Sequence, residues 1–174
     1  MESEVYLSRP SLALQNAYLT FYREWVERGE KMVPWVISRD PTDFQGMIEF
    51  LLKNEKGEQL PDGWVPDSTY WMVTGERRIV GVVNIRHGLT EQLLNRGGHI
   101  GYGIRPSERR KGYATKLLSL ALEKARELGL EKVLVVCDEW NVGSEKTIRK
   151  NGGVQDTSYV EDDGNVILRF WIDL

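Results

Sequence analysis

The sequence predicts an α/β chain folded as one domain. Its sheet is mixed and mostly antiparallel, with six to seven strands, a central parallel βαβ unit and about four helices. Three observations lead there. A long amphipathic stripe over 113–128 lies between two strand-like runs at 97–104 and 132–138. The segment before residue 53 carries helical spacing, and the segments 68–87 and 154–173 each read as a pair of strands across a short turn. The chain has 174 residues, 41% hydrophobic and 28% charged, which suits one compact domain with a full core.

The first helix is carried by Leu14, Ala17, Tyr18, Phe21 and Trp25, with Ser11 placed to cap its start and Gly29 to stop it. A second runs from Thr42 to Leu52 and closes at "KNEKGE". The prolines and Gly63 of "QLPDGWVPDS" mark a loop. "STYWMVTGERRIVGVVNIRH" then gives two β-branched and aromatic strands around the turn "TGERR". "GLTEQLLNRGG" connects to the third strand, "HIGYGIRP", which Pro106 ends.

In the helix from Tyr113 to Leu128, Ala114, Leu117, Leu118, Ala121, Leu122, Ala125 and Leu128 line one face, and Gly129 stops it. The unbroken apolar run "KVLVVCD" suits a strand covered on both faces. Asn141 caps a short helix ending near Gly152, and "VQDTSYV" and "NVILRFWIDL" form a final hairpin across "EDDGN". Strands 97–104 and 132–138, joined by a helix, are expected to lie parallel with a right-handed crossover.

Net charge is −3 and the pI about 5.5, which argues against general nucleic-acid or anionic-membrane binding. The lone Cys137 permits no intrachain disulfide and no cysteine-rich metal site, and reads as core. The polar, acidic start and the absence of a long apolar run point to a cytoplasmic protein without a membrane span.

Against this acidic background stands "ERRKGYATK", where Arg109, Arg110, Lys111 and Lys116 surround Gly112, followed by the small Ala114. A helix start exposes about four unpaired N–H groups and a partial positive charge, so it attracts anions. Gly112 lets a ligand approach the backbone, and the cations add charge-assisted contacts. Together they describe a diphosphate cradle; the alternative is a solvated surface turn. No nucleotide P-loop is present, and "GYGIRP" has Pro106 where a dinucleotide fingerprint needs its third glycine.

Arg109-x-x-Gly112-x-Ala114 matches the R/Q-x-x-G-x-G/A signature of the GCN5-related N-acetyltransferases (GNAT). The resemblance extends over roughly residues 70 to 155, where "HIGYGIRP", the following helix, "KVLVVCD" and "NVGSEKTIRKNGG" fall in that family's order. It is similar to the ribosomal-protein N-terminal branch, sharing N-x-x-S at Asn141 and Ser144. The resemblance implies acetyl-CoA as co-substrate, no metal, and a small-molecule or peptide amine as acceptor. It implies that main-chain N–H groups of Arg110, Lys111, Gly112, Tyr113, Ala114 and Thr115 bind the diphosphate. The strand at Gly103 and Ile104 would pair with the pantetheine arm, and Asn141 would contact that arm besides capping its helix.

It also implies a division into acceptor-side helices (11–53), a coenzyme-binding core (70–155) and a C-terminal hairpin (154–173). His99 stands where the family often carries a glutamate base, and is the candidate general base; the alternative is a silent structural histidine. Ile148 replaces the usual tyrosine acid, which keeps a non-catalytic acyl-CoA-binding module open as a second reading. Tyr102 and Tyr113 lie nearby in sequence. Trp35, Trp64, Trp140 and His87 are candidates to line the acceptor pocket. A nucleic-acid-binding role for the basic turn is a third reading, disfavoured by the overall acidity. Exposed edge strands are compatible with a homodimer.

Overall fold

The computed structural model describes residues 4–174. Seven strands and four α-helices follow the chain as β1 (Val5–Ser8), α1 (Gln15–Arg28), α2 (Phe44–Lys56), β2 (Asp67–Thr74), β3 (Ile79–Arg86), β4 (Ile100–Ile104), α3 (Tyr113–Glu127), β5 (Lys132–Asp138), α4 (Val142–Lys150), β6 (Val154–Val160) and β7 (Val166–Asp173). Most elements lie where the sequence patterns put them. Ser11 caps a short 3-10 turn, its hydroxyl accepting the Ala13 N–H, and that turn leads into α1. Gly29 ends α1 in the left-handed conformation that glycine adopts without strain. Helix α2 runs four residues past the expected Leu52, to Lys56, and Asp43 caps it by accepting the Gly46 N–H.

Strand β1 has no counterpart in the sequence reading. Only four residues long, it pairs antiparallel with the outer edge of β2. The first sheet runs β1-β2-β3-β4 and the second β5-β7-β6. Among the described residues every ladder is antiparallel. The parallel pairing expected between 97–104 and 132–138 is reduced to one junction. There the His99 N–H donates to the Leu134 carbonyl at 2.7 Å, and the Leu134 N–H donates to Nδ1 of His99 at 2.9 Å. The segments approach so closely because residue 98 is glycine: a Cβ there would lie 2.6 Å from the Leu134 oxygen. Beyond the junction no ladder joins β4 to β5, and among the described residues no strand pairs with the outer edge of β4.

Two apolar layers clamp the first sheet. Trp71, Val73, Ile79 and Val82 pack with Tyr18, Phe21, Trp25, Met47 and Leu51 of α1 and α2. Met72, Val83, Ile85, Ile100 and Ile104 pack with Leu117, Leu118 and Ala121 of α3, in a cluster that continues to Val133, Val135 and Cys137 of β5. Burial of these side chains, each contributing about 1.5–3 kcal/mol, fixes the head of α3 beside the end of β4. No helix among the described residues is long and apolar enough to cross a membrane.

Candidate active site

The basic turn sits between β4 and α3. Arg110 and Gly112 both adopt positive φ, 61° and 84°, and Gly112 is the N-cap of α3. The first bond of the helix is the Lys116 N–H to the Gly112 carbonyl. Six consecutive main-chain N–H groups, Arg110 to Thr115, therefore have no acceptor among the described residues. A helix end normally leaves about four such donors; here the preceding loop adds more, and all belong to a segment with positive dipole and charge. Glycine at 112 is required by conformation, since a Cβ would meet nothing within 4 Å.

The four cations divide by role. Arg109 forks onto Glu30 with bonds of 3.2 and 2.7 Å and lies over the Trp25 ring at 5.2 Å. Those hydrogen bonds hold the Glu30 carboxyl below its usual range. The Arg109 guanidinium thus anchors the turn to the end of α1. Lys111 pairs with Glu108 at 2.9 Å. Arg110 and Lys116 have no carboxylate partner among the described residues and are the cations available to a ligand. Behind the turn, Glu24 of α1 receives Arg105 Nε at 2.6 Å and the Ser107 N–H, locking the exit of β4.

The register of β4 decides which groups face its free edge. Arg86 donates its N–H to the His99 carbonyl, and Arg105 donates its N–H to the Val80 carbonyl, so the carbonyl of residue 99 and the main-chain groups of 101, 103 and 105 point toward β3. Ile100, Tyr102 and Ile104 direct theirs outward. Ile104 therefore turns its main-chain groups to the outer edge, whereas Gly103 turns its own toward β3. Glycine is needed at 103 because a Cβ would fall on the Val33 carbonyl, which crosses over this position.

Asn141 caps α4, its Oδ1 accepting the Ser144 N–H at 3.1 Å, and its Nδ2 has no acceptor among the described residues. Tyr102 and Ser144 join β4 to α4 through a hydroxyl pair of 2.7 Å. Tyr113 begins α3 and packs against the α3-side core. Cys137 is buried, and burial pushes its thiol up to about 11, so it is core as expected.

His99 does not suit the role of base. Its Nδ1 lone pair already accepts the Leu134 N–H, which places the ring proton of the neutral form on Nε2. Burial, with the Arg86 guanidinium second, pushes its pKa down to about 4. The ring is neutral at pH 7 but has no free lone pair to take a proton. Ile148 is fully buried in the core and offers no donor.

Of the four side chains expected around the acceptor, Trp35 and Trp64 do meet, edge to face at 5.3 Å between ring centroids. They wall a cavity of about 230 Å³ with Asp67, Arg86 and Leu93. His87 is not part of its lining; its Nε2 lies 2.8 Å from the Ser68 hydroxyl. Trp140 stands apart, 73% exposed at the turn before α4. Asp67 and Arg86 were not singled out from sequence. Unbroken counting from the "TGERR" turn would set Asp67 opposite Ile85; the register shift between Met72 and Val73 brings it opposite Arg86, so the sequence carried no direct signal for the pair.

A family profile for the acetyltransferase (GNAT) domain matches residues 4–154. The chain belongs to the GNAT acetyltransferase family. Among solved structures, this GNAT fold is similar to RimL, a ribosomal L7/L12 α-N-protein acetyltransferase in complex with coenzyme A. The TM-score is 0.70 at 12% identity, over 100% of this chain and 96% of that one. It is similar to the microcin C7 self-immunity acetyltransferase MccE in complex with acetyl-CoA and AMP, with TM-score 0.68, 15% identity, and 100% and 94% covered. It is also similar to the dodecameric spermidine N-acetyltransferase from Vibrio cholerae, with TM-score 0.65, 14% identity, and 97% and 93% covered. No curated protein matches the sequence. At these identities the likeness is one of fold, and the GNAT architecture is the common element.

Proposed function

We propose that this GNAT protein is an acetyl-CoA-dependent N-acetyltransferase, moving an acetyl group to a primary amine of a small molecule or peptide by direct attack in a ternary complex. The observation that carries the reading is the row of six unpartnered N–H groups from Arg110 to Thr115, beside a strand edge with its own unpaired groups. The residues present fit the coenzyme. The row and the Arg110 and Lys116 side chains suit a diphosphate; the outward N–H and C=O of Tyr102 and Ile104 suit the amides of an extended arm; the free Asn141 amide hydrogens suit one of its carbonyls. Arg109 acts through Glu30 and Trp25 as a positioning residue.

Acetyl-CoA, when bound, supplies a thioester carbonyl open to attack by an amine. The chain's own part is to orient that carbonyl along the β4 edge and to supply a proton to the departing sulfur. In the reaction the amine nitrogen forms the new bond to carbon, the carbon–sulfur bond breaks, and the thiolate gains a proton. With Ile148 unable to donate, the Tyr102–Ser144 hydroxyl pair, which joins β4 to α4, is the protein group assigned to that proton transfer. Burial raises the Tyr102 hydroxyl to about 12, so it remains protonated at neutral pH. The amine must lose a proton too: a lysine-like amine is free at about 0.04% at pH 7, an α-amine near pKa 8 at about 10%. A site without His99 as base therefore favours α-amines.

The helices of 11–53 form the acceptor side, 70–155 the coenzyme core and 154–173 the closing hairpin. Strand β6 is an exposed outer edge on which a homodimer would pair. The buried Ile148 favours a second reading, a non-catalytic acyl-CoA-binding module. Thiol release from acetyl-CoA across a panel of amines separates the two. Amine-dependent release supports the transferase, coenzyme binding without release on any amine supports the module, and calorimetry showing no coenzyme binding overturns both.

A further inference from the structure

The cavity between Trp35, Trp64, Asp67 and Arg86 carries an unusual pair of charges. Asp67 and Arg86 are directly opposite in the β2–β3 ladder, and both line the cavity. Yet no ion pair joins them among the described residues. Asp67 is 2% exposed; its Oδ1 accepts Asn84 Nδ2 at 2.7 Å, and its Oδ2 has no donor among the described residues. Arg86 commits one nitrogen to the carbonyls of Gly97 and Gly98, at 3.1 and 3.4 Å, and its other guanidinium donors have no acceptor there. Two desolvated opposite charges, each half satisfied, are costly unless something brings the complementary pair.

The site is also placed for chemistry. The Arg86 guanidinium lies against Gly101 of β4, where a Cβ would be 3.5 Å from its nitrogen. The indoles of Trp35 and Trp64, with Leu93, supply an apolar wall, and Trp64 is half exposed at its rim. At about 230 Å³ the cavity is smaller than the roughly 300–1,000 Å³ of drug-sized sites, so it holds one residue-sized group.

We propose that this cavity is the acceptor pocket and selects an α-amine next to a carbonyl or carboxylate. The ammonium sits on Asp67, the oxygen on Arg86, and an apolar side chain lies against Trp35 and Trp64. The assignment rests on the acyltransferase reading and adds the acceptor's chemical class to it. A free amino acid and a peptide N-terminus share this chemistry.

The test is calorimetric titration of the full chain, with and without saturating coenzyme A, using L-leucine, L-leucinamide, leucylglycine, isoamylamine and 4-methylpentanoate. The expected result is binding of the first three, at least tenfold weaker binding of isoamylamine, which lacks the carbonyl, and none of 4-methylpentanoate, which lacks the amine. Tighter leucylglycine than leucine identifies a peptide N-terminus, and the reverse a free amino acid. Asp67→Asn keeps an acceptor for Asn84 and is expected to weaken leucinamide at least tenfold; Trp64→Ala, at a half-exposed position, weakens it about fivefold. Isoamylamine binding as well as leucinamide, or leucinamide binding unchanged in Asp67→Asn, overturns the proposal. Coenzyme A binding with no binding of any amine overturns the pocket while leaving the transferase reading intact, and loss of coenzyme binding in the unmodified chain removes that reading itself.

Discussion

Nδ1 of His99 accepts the main-chain N–H of Leu134 at 2.9 Å, so a side chain of the β4 approach closes the junction with β5. Its pKa of about 4 lies below the unfolded value near 6.5, so between these values the unfolded chain binds more protons. This contribution to stability is complete above pH 6.5 and is lost as pH falls toward 4, on the order of 2–3 kcal/mol. His99→Asn, whose Oδ1 can accept the same N–H, is expected to flatten that slope in urea titrations between pH 4 and 7. It should leave turnover at pH 7 within about threefold. A folded His99→Asn protein with abolished turnover would restore the histidine as base.

Gly112 takes φ 84° with open space where a side chain would be. Gly112→Ala is expected to cost about 1 kcal/mol from backbone strain alone, read by urea denaturation. Gly112→Asp adds a carboxylate to the N–H row and should weaken coenzyme A at least tenfold by calorimetry. The loss should shrink as salt is added. Equal affinity in Gly112→Asp would show that the row does not face the diphosphate.

Arg105 is 4% exposed and bonded to Glu24 and to the Ile79 carbonyl. Burial acts to raise the Glu24 carboxyl, but hydrogen bonds from Ser107 and Arg105 prevail and lower it. Glu24→Ala leaves a buried guanidinium without its counter-ion and is expected to cost about 3 kcal/mol. Because Glu24 also accepts the Ser107 N–H at the entry to the basic turn, coenzyme affinity should fall as well. Denaturation and calorimetry on the same variant measure both.

Ser144→Ala removes one member of the Tyr102–Ser144 pair and is expected to lower kcat about a hundredfold with little change in KM for acetyl-CoA. Tyr102→Phe should be milder if the serine is the group nearer the sulfur. A kcat for Ser144→Ala equal to that of the unmodified protein would assign thiolate protonation to water.

Asp67 has its carboxyl pKa raised, by burial first, with Asn84, Arg86 and His87 acting to lower it and Glu55 of α2 to raise it. A raised folded value means that the aspartate's contribution is greatest below the unfolded pKa and is lost as pH rises through the folded one. Asp67→Asn is therefore expected to raise the melting temperature of the ligand-free protein at pH 7 while lowering turnover. A fall in both would indicate a structural carboxylate.

Much of this molecule is local in origin. Helix 113–127, its glycine cap, the Asn141 cap and the two hairpins follow from periodicity, turn chemistry and N–H groups that a helix start cannot satisfy, all within a few residues of chain. The signature around Gly112 was legible for that reason. Tertiary packing alone decided that Arg109 serves Glu30, that His99 spends its lone pair on Leu134, that Ile104 rather than Gly103 faces the open edge, and that Asp67 shares a cavity with two tryptophans. A side chain's partner depends on which segments meet at long range, and strand pairing places every residue on one side of the ladder or the other. Strand β1 has the same long-range origin: four residues carry too little pattern, and the edge of β2 makes them a strand.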